Sequence, residues 1–320
     1  MKFSGKTWLL ILQIAIFVIA WYYVIDKTNV YINSINWHSI HFNPTRLISG
    51  FILIIILMII NWSIEAYKWK FSLKKIVSIN FRIALFSVLA GTTAAIISPN
   101  RSGEPIGRAY FLKQEDKANG LGAAIICSIS QFTVTVITGL LVFPLFSMYF
   151  PQYLSPSNTY LLSAILVIIT LVIYFKSNYV LKKISSLKII NKLPFIKNID
   201  GNSFNSNLWI LLLLSFSRYI VFFVQFYFML KIWGIKIEIQ EAFVAIAMTY
   251  FITTIIPTTT LVELGIRCSS SIYFIGHFDN QPLIITIASM SLWLINISIP
   301  GLLGSLFYVP GFKNYIGNRT

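Results

Sequence analysis

Two apolar stretches of the chain contain the same charged pattern, Glu-x-x-x-Arg, shortly after a proline and a polar tip. Glu104 and Arg108 form the first pair, and Glu263 and Arg267 form the second. Charged side chains at membrane depth cost about 2.5–3.5 kcal/mol each on insertion scales, and by default they indicate a functional site. Because a guanidinium group can hold a phosphate through two parallel hydrogen bonds, the pattern predicts a site for an anionic head group.

Each glutamate stands four residues before its arginine, so the two side chains share one helix face. We expect the carboxylate to orient the guanidinium and to offset its charge when no ligand is bound. The alternative is a pair of buried salt bridges that only fasten the local structure. Arg101, at the first tip, adds a further cation to the predicted head-group site.

Hydroxyl residues are expected to begin the helix that follows each tip. Ser102 can cap a helix that starts near Gly103, and Thr260 with Glu263 fits a capping box. Helix N-termini present unpaired N–H groups that suit a phosphate, so Ser102 and Thr260 are predicted to support the site.

Three polar residues within other apolar runs are further candidates. Arg218 lies near the centre of Leu208–Leu230 and either lines the site or bonds a neighbouring helix. Gln225, two turns further on, lies on roughly the same face as Arg218 and is predicted to support the head-group site, as is Gln131. Gln131 is expected to form hydrogen bonds between helices, which is the commoner use of such residues in membranes.

Glu65 is followed by Lys68 and Trp69 at the end of an apolar run. This combination favours an anchor at the membrane interface. A role in a vestibule for the head group is the alternative.

The composition excludes a soluble globular domain, because 57% of the residues are hydrophobic and only 11% are charged. The formal charge of +15 is distributed between apolar runs, which favours contact with anionic lipid surfaces over nucleic acid. Residues 1–320 are predicted to form a single transmembrane domain. Cys127 and Cys268 are interpreted as small buried residues, and no motif predicts a metal or another cofactor.

Six runs are long and apolar enough to cross about 30 Å of hydrocarbon. They are Trp8–Ile25, Leu47–Ala66, Gly120–Phe143, Thr159–Phe175, Leu208–Leu230 and Leu283–Tyr308. Two further runs, Ile83–Ser98 and Phe243–Ile256, reach only about 21–24 Å as helices.

The distribution of lysine and arginine predicts the topology. Segments 67–82 and 176–207 are rich in basic residues, so both loops and both termini are expected on the cytoplasmic side of the plasma (inner) membrane. The two basic loops can lie on the same side only if the two short apolar runs do not cross the membrane. They then become re-entrant hairpins, about 83–113 and 243–276, that enter from opposite sides. The sequence therefore predicts an all-α polytopic protein with six spans and an inverted repeat of broken helices, as in transporters.

Three segments resemble the transmembrane region of lysylphosphatidylglycerol synthases, a family of flippase-like membrane proteins. They are Glu65-Ala66-Tyr67-Lys68-Trp69, the run from Ser98 to Tyr110 and the run from Pro257 to Arg267. The second tip departs from the family's usual Gly-rich tip, since it reads Thr258-Thr259-Thr260. Larger members add a soluble domain that transfers lysine to phosphatidylglycerol. That domain is not expected here, so the resemblance implies movement of a lipid between leaflets.

We therefore expect a lipid transporter or flippase that binds the phosphate of an anionic phospholipid or polyprenyl phosphate near the membrane midplane. Its expected partners are that lipid and a lipid-modifying enzyme. One alternative is a membrane-embedded transferase, or an accessory subunit of one, acting on a lipid-linked substrate. In that case Glu104 or Glu263 would serve as the acid. A scaffold for a lipid-modifying complex is the other alternative.

Overall fold

The computed structural model describes residues 5–34, 44–98, 101–149, 156–185, 207–256 and 258–309, and all regular elements in these ranges are helical. The helices are α1 (Gly5–Ser34), α2 (Pro44–Leu73), α3 (Phe81–Ile97), α4 (Glu104–Ala109), α5 (Lys117–Tyr149), α6 (Pro156–Phe175), α7 (Ser177–Ser185), α8 (Leu208–Ile232), α9 (Ile239–Ile255), α10 (Thr260–Ile275), α11 (Pro282–Trp293) and α12 (Ile299–Ser305). A π-helical turn, Leu294–Ser298, joins the last two helices. The segments 186–206 and 310–320, which include parts of the predicted cytoplasmic regions, lie outside the described residues.

Among the described residues, six helical stretches are long and apolar enough to span a membrane, which confirms the predicted number. They lie in α1, α2, α5, α6, α8 and the continuous helix from Pro282 to Tyr308. Helices α3 and α9 are the two shorter apolar helices, each of 17 residues. The chain is therefore a multi-pass membrane protein.

One end of the helix bundle gathers the C-terminal end of α2, the N-terminal ends of α5 and α8, and both flanks of the α3–α4 segment. Their side chains share one hydrophobic cluster that includes Leu73, Ile79, Leu112, Leu121 and Leu208. Exposed cations surround this cluster, and they include Lys70, Lys74, Lys75, Arg82 and Lys113. We call this the basic end.

The opposite end is held by contacts between loops and helix ends. The backbone N–H of Lys236, before α9, donates to the Asp279 carboxylate, after α10, at 2.7 Å. Tyr31 in the last turn of α1 donates to Gln281 at 3.3 Å. Both flanks of the α9–α10 segment therefore lie at the opposite end, whereas both flanks of the α3–α4 segment lie at the basic end.

The chain reverses after α3 through a close backbone contact. A side chain at Gly107 would lie 2.7 Å from the Ala90 carbonyl oxygen, and one at Gly103 would lie 2.5 Å from that of Ala94. Only glycine allows this approach, so α4 folds back along α3 as a helical hairpin. Arg101, at the tip, has a positive φ of 56°. The returning helix α4 has six residues, whereas its counterpart α10 has sixteen, so the two hairpins differ in this limb.

The two hairpins meet within the bundle. The Thr260 hydroxyl donates to the Ile96 carbonyl oxygen at 3.0 Å, in the last turn of α3. Carbonyl groups in a last helical turn lack partners within the helix, and this bond supplies one.

Candidate functional site

Glu65 of α2 is the centre of a buried ionic cluster. Its carboxylate lies 2.7 Å from each of three cationic nitrogens, contributed by Lys68, Arg108 and Arg218. The Glu65 side chain is only 2% exposed. Three separate segments, α2, α4 and α8, therefore meet at one carboxylate.

The sequence of α2 explains why Glu65 faces inward. Asn61, Glu65, Lys68 and Ser72 follow one another at intervals of four, three and four residues, which places them on one face of a helix. All four are buried, while Tyr67, on another face, is exposed. The interface anchor predicted for Glu65 is therefore wrong, because its helix continues to Leu73 and carries the carboxylate into the bundle.

Arg108 lies on α4 and is 2% exposed. Its Nη2 atom contacts the carboxylates of Glu65 and of Glu104, which stands one turn earlier on the same helix. The Nε and Nη1 atoms of Arg108 are buried without a hydrogen-bond partner among the described residues. These two nitrogens carry three of the five N–H donors of the guanidinium group.

Arg218 joins α8 to α2. Its Nε donates to the side-chain oxygen of Asn61 at 2.6 Å, in addition to its bond with Glu65. The guanidinium also stacks against the rings of Trp62 and Phe222, at 5.4 and 5.2 Å. Arg218 is thus both a helix–helix partner and a member of the cluster, bonded to side chains rather than to backbone carbonyls.

Lys68 is fully buried. Besides Glu65, its ammonium group lies 3.3 Å from the Cys127 carbonyl oxygen and 3.3 Å from the Ser215 hydroxyl. A buried ammonium group needs such acceptors because its desolvation is costly.

Arg101 and Glu104 form the outer edge of the cluster. Their side chains are 40% and 15% exposed, and Arg101 Nε donates to Glu104 at 3.3 Å. Arg101 also interacts electrostatically with Glu263 of the other hairpin. This interaction connects the charges of the two hairpins.

The second hairpin carries a simpler charge pair. Arg267 Nη2 donates to Glu263 at 3.0 Å, and the side chains are 17% and 12% exposed. The Arg267 guanidinium lies 5.8 Å from the ring of Tyr250, and its Nε is buried without a partner among the described residues. The predicted i, i+4 pairing is confirmed in both hairpins, but only Arg108 belongs to the larger cluster.

The predicted helix caps are wrong. Gly103 caps α4 without a side-chain bond, and its N–H donates to Ser98 Oγ at 2.8 Å, so Ser102 does not cap it. Thr260 is the first residue of α10 rather than its cap, and its hydroxyl bonds Ile96 instead. Thr260 therefore connects the hairpins.

The two glutamines connect helices, as predicted for Gln131. Gln131 Nε2 donates to the Ser215 carbonyl oxygen at 3.5 Å, between α5 and α8. Gln225 Nε2 donates to the Ile54 carbonyl oxygen at 3.1 Å, between α8 and α2. Neither bonds directly to a charged side chain of the cluster.

Four cations, Lys68, Arg101, Arg108 and Arg218, thus surround two carboxylates, Glu65 and Glu104. In its ionised form the cluster has two positive charges in excess. Within the described part of the chain, no group of three His, Cys, Asp or Glu side chains could hold a metal ion. The arrangement suits an anion with several acceptor oxygens.

The family model described as the lysylphosphatidylglycerol synthase TM region matches residues 10–267. No curated protein and no solved structure matches the chain.

Proposed function

Because the chain belongs to the family of the lysylphosphatidylglycerol synthase TM region, we propose that it binds an anionic membrane lipid by its phosphate and moves that lipid between leaflets. The observation that carries this proposal is the state of Arg108: its Nε and Nη1 are buried, have no hydrogen-bond partner among the residues that the structure describes, and lie in a cluster of excess positive charge. Buried polar groups in proteins nearly always have a partner, and a lipid phosphate would supply one.

The phosphate would reach Arg108 by displacing Glu104. Glu104 is the more exposed of the two carboxylates that contact Arg108, and it stands at the edge next to Arg101. Glu65 would remain in place, since Lys68 and Arg218 also hold it. The head group would thus exchange with one resident carboxylate while the other keeps the cluster assembled.

The same proposal includes the membrane arrangement of the hairpins. We propose that α3–α4 and α9–α10 are re-entrant and enter from opposite sides, as an inverted repeat. The positions of their flanks, at the basic end and at the opposite end, support this. Glu65 stands eight residues before the end of α2, so a head group bound beside it would lie about 12 Å below the basic end.

The exposed cations of the basic end support its placement at an anionic cytoplasmic leaflet, with both termini on that side of the plasma membrane. The protein would transport the lipid without a catalytic step. The acyl chains of that lipid would stay in the surrounding bilayer. A lipid-modifying enzyme is proposed as a partner that supplies or consumes the lipid.

Lipids that co-purify with the protein test this proposal. Native mass spectrometry should find an anionic lipid enriched on the wild type and lost from Arg108→Ala with Arg267→Ala. Arg82→Ala is the matched control, because Arg82 is exposed at the start of α3, outside the cluster. The same bulk lipids on all three proteins would mean that the arginines are structural, and a scaffold would become the better interpretation.

A further inference from the structure

We propose that the head group bound at the cluster around Glu65 is a phosphate monoester with two negative charges. This inference rests on the proposed function and narrows its substrate class. It follows from the charge balance of the cluster and from the Arg108 donors that have no partner in the described part of the chain.

The charge balance favours a dianion. Lys68, Arg108 and Arg218 are at most 11% exposed on their side chains, so their charges are poorly compensated by water. Arg101 adds the fourth cation at the edge. Glu104 would lose its contact with Arg108 but stay in the cluster beside Arg101, so it still counts in the balance. Because the excess over Glu65 and Glu104 is two charges, a monoester with a second pKa near 6 would neutralise it at pH 7.

Other common head groups would leave charge uncompensated. A phosphodiester carries one negative charge, and one buried positive charge would remain. A phosphodiester that bears two additional ammonium groups would add to the excess positive charge of the cluster. In a desolvated site this would cost much binding free energy. The second hairpin does not alter this balance, since Arg267 and Glu263 neutralise each other.

The donors of Arg108 favour the same group. Nε and Nη1 together offer three N–H donors without partners among the described residues. A phosphate monoester has three terminal oxygens, whereas a diester has two. Arg101 lies at the outer edge next to Glu104, where it could contact the third oxygen after Glu104 moves.

Arg101 therefore determines whether the cluster has an excess of one or of two positive charges. It is also the cation that the packing constrains least, because its side chain is 40% exposed. Replacement of Arg101 by Gln should leave the buried part of the cluster intact and reduce the excess charge to one. Arg101→Lys keeps the charge and serves as the matched control.

The experiment is a native mass spectrometry titration of the purified protein with four lipids. Three have the same acyl chains: phosphatidic acid, phosphatidylglycerol and lysylphosphatidylglycerol. The fourth is a polyprenyl phosphate, which carries the monoester on a different anchor. We expect the monoesters to bind the wild type and Arg101→Lys about tenfold more tightly than phosphatidylglycerol, which one additional partly screened charge pair would provide. In Arg101→Gln this preference should disappear.

The outcomes separate the two proposals. Equal binding of phosphatidic acid and phosphatidylglycerol to the wild type, with both lost in Arg108→Ala, would overturn the monoester inference and leave the proposed function standing. Specific binding of none of the four would overturn both. Tightest binding of lysylphosphatidylglycerol would also overturn the inference. If only phosphatidic acid or only the polyprenyl phosphate binds, the inference stands. The anchor of the lipid that binds then shows whether the substrate is a phospholipid or a polyprenyl phosphate.

Discussion

The Thr260 hydroxyl donates a hydrogen bond to the Ile96 carbonyl oxygen over 3.0 Å, and this bond joins the tips of the two hairpins. Thr260 begins α10 and Ile96 lies in the last turn of α3. Each hairpin therefore completes the hydrogen bonding of the other. A change at either tip should affect both.

The first prediction concerns this bond. Thr260→Val keeps the shape of the side chain but leaves the Ile96 carbonyl without its partner. Hydrogen bonds between membrane helices contribute about 0.6–2 kcal/mol, so we expect a lower melting temperature in detergent. Thr260→Ser should restore it. A melting temperature for Thr260→Val equal to that of the wild type would show that the tips are held by other contacts.

The second prediction concerns Glu65. Its replacement by Ala leaves three buried cations without their shared carboxylate, and we expect the protein to lose about 3–5 kcal/mol of stability. Glu65→Asp retains the charge with a shorter reach and should be intermediate. Glu115→Ala, at an exposed position before α5, is the control. If chemical unfolding in mixed micelles gave the same stability for Glu65→Ala and Glu115→Ala, Glu65 would not be the centre of the cluster.

The third prediction separates a carrier from an enzyme. Glu104→Gln removes the carboxylate that competes with a lipid phosphate for Arg108, so the lipid should bind about three- to tenfold more tightly and leave more slowly. Transfer between leaflets should slow but persist. An enzyme that used Glu104 as its acid would lose turnover entirely while binding stayed the same, and product analysis with a lipid-linked substrate would detect this.

The fourth prediction uses the backbone of Arg101. A non-glycine residue in the left-handed region costs about 1–2 kcal/mol, and such strain is often found at functional sites. Arg101→Gly should therefore raise the melting temperature while it weakens lipid binding. Arg101→Gln should weaken binding without the gain in stability. An Arg101→Gly protein that is less stable than the wild type would contradict the strained tip.

The fifth prediction concerns topology. Single cysteines at Lys75 and Lys113 flank the α3–α4 hairpin, and both native lysines are exposed. They should react with a membrane-impermeant thiol reagent from the same side, and a cysteine at Lys236 should react from the other side. The native Cys127 and Cys268 are buried, so they give a low background. Labelling of Lys75 and Lys113 positions from opposite sides would contradict a re-entrant first hairpin.

Hydropathy is sufficient to predict the spans, and residue spacing is sufficient to predict the two Glu-x-x-x-Arg pairs, because these features depend on local sequence. Six candidate spans and the bonds of Arg108 to Glu104 and of Arg267 to Glu263 are present as predicted. The i, i+4 spacing alone brings each of these pairs together.

The central role of Glu65 depends on tertiary structure and was missed. Beside Lys68 and Trp69, a carboxylate at the end of an apolar run is typical of an interface residue. The signal that could have identified it is the polar face formed with Asn61 and Ser72 along α2, since an anchor would not need one.

The helix caps also depended on contacts distant in sequence. Thr260 has the right spacing for a capping box, but its hydroxyl bonds the other hairpin. Ser102 is a cap candidate in the sequence because it directly precedes the helix start expected near Gly103. The positive φ of Arg101 turns the chain so that Ser98 receives the Gly103 N–H instead.

Lipid movement itself gives the most direct test of the central claim. Proteoliposomes would contain a phosphate monoester lipid with a fluorescent acyl chain, and a membrane-impermeant quencher would report the fraction that reaches the outer leaflet. We predict rapid, nearly complete quenching with the wild type and with Arg82→Ala, and a rate at least about tenfold lower with Arg108→Ala. Equal rates for Arg108→Ala and the wild type would contradict a transport site at Arg108.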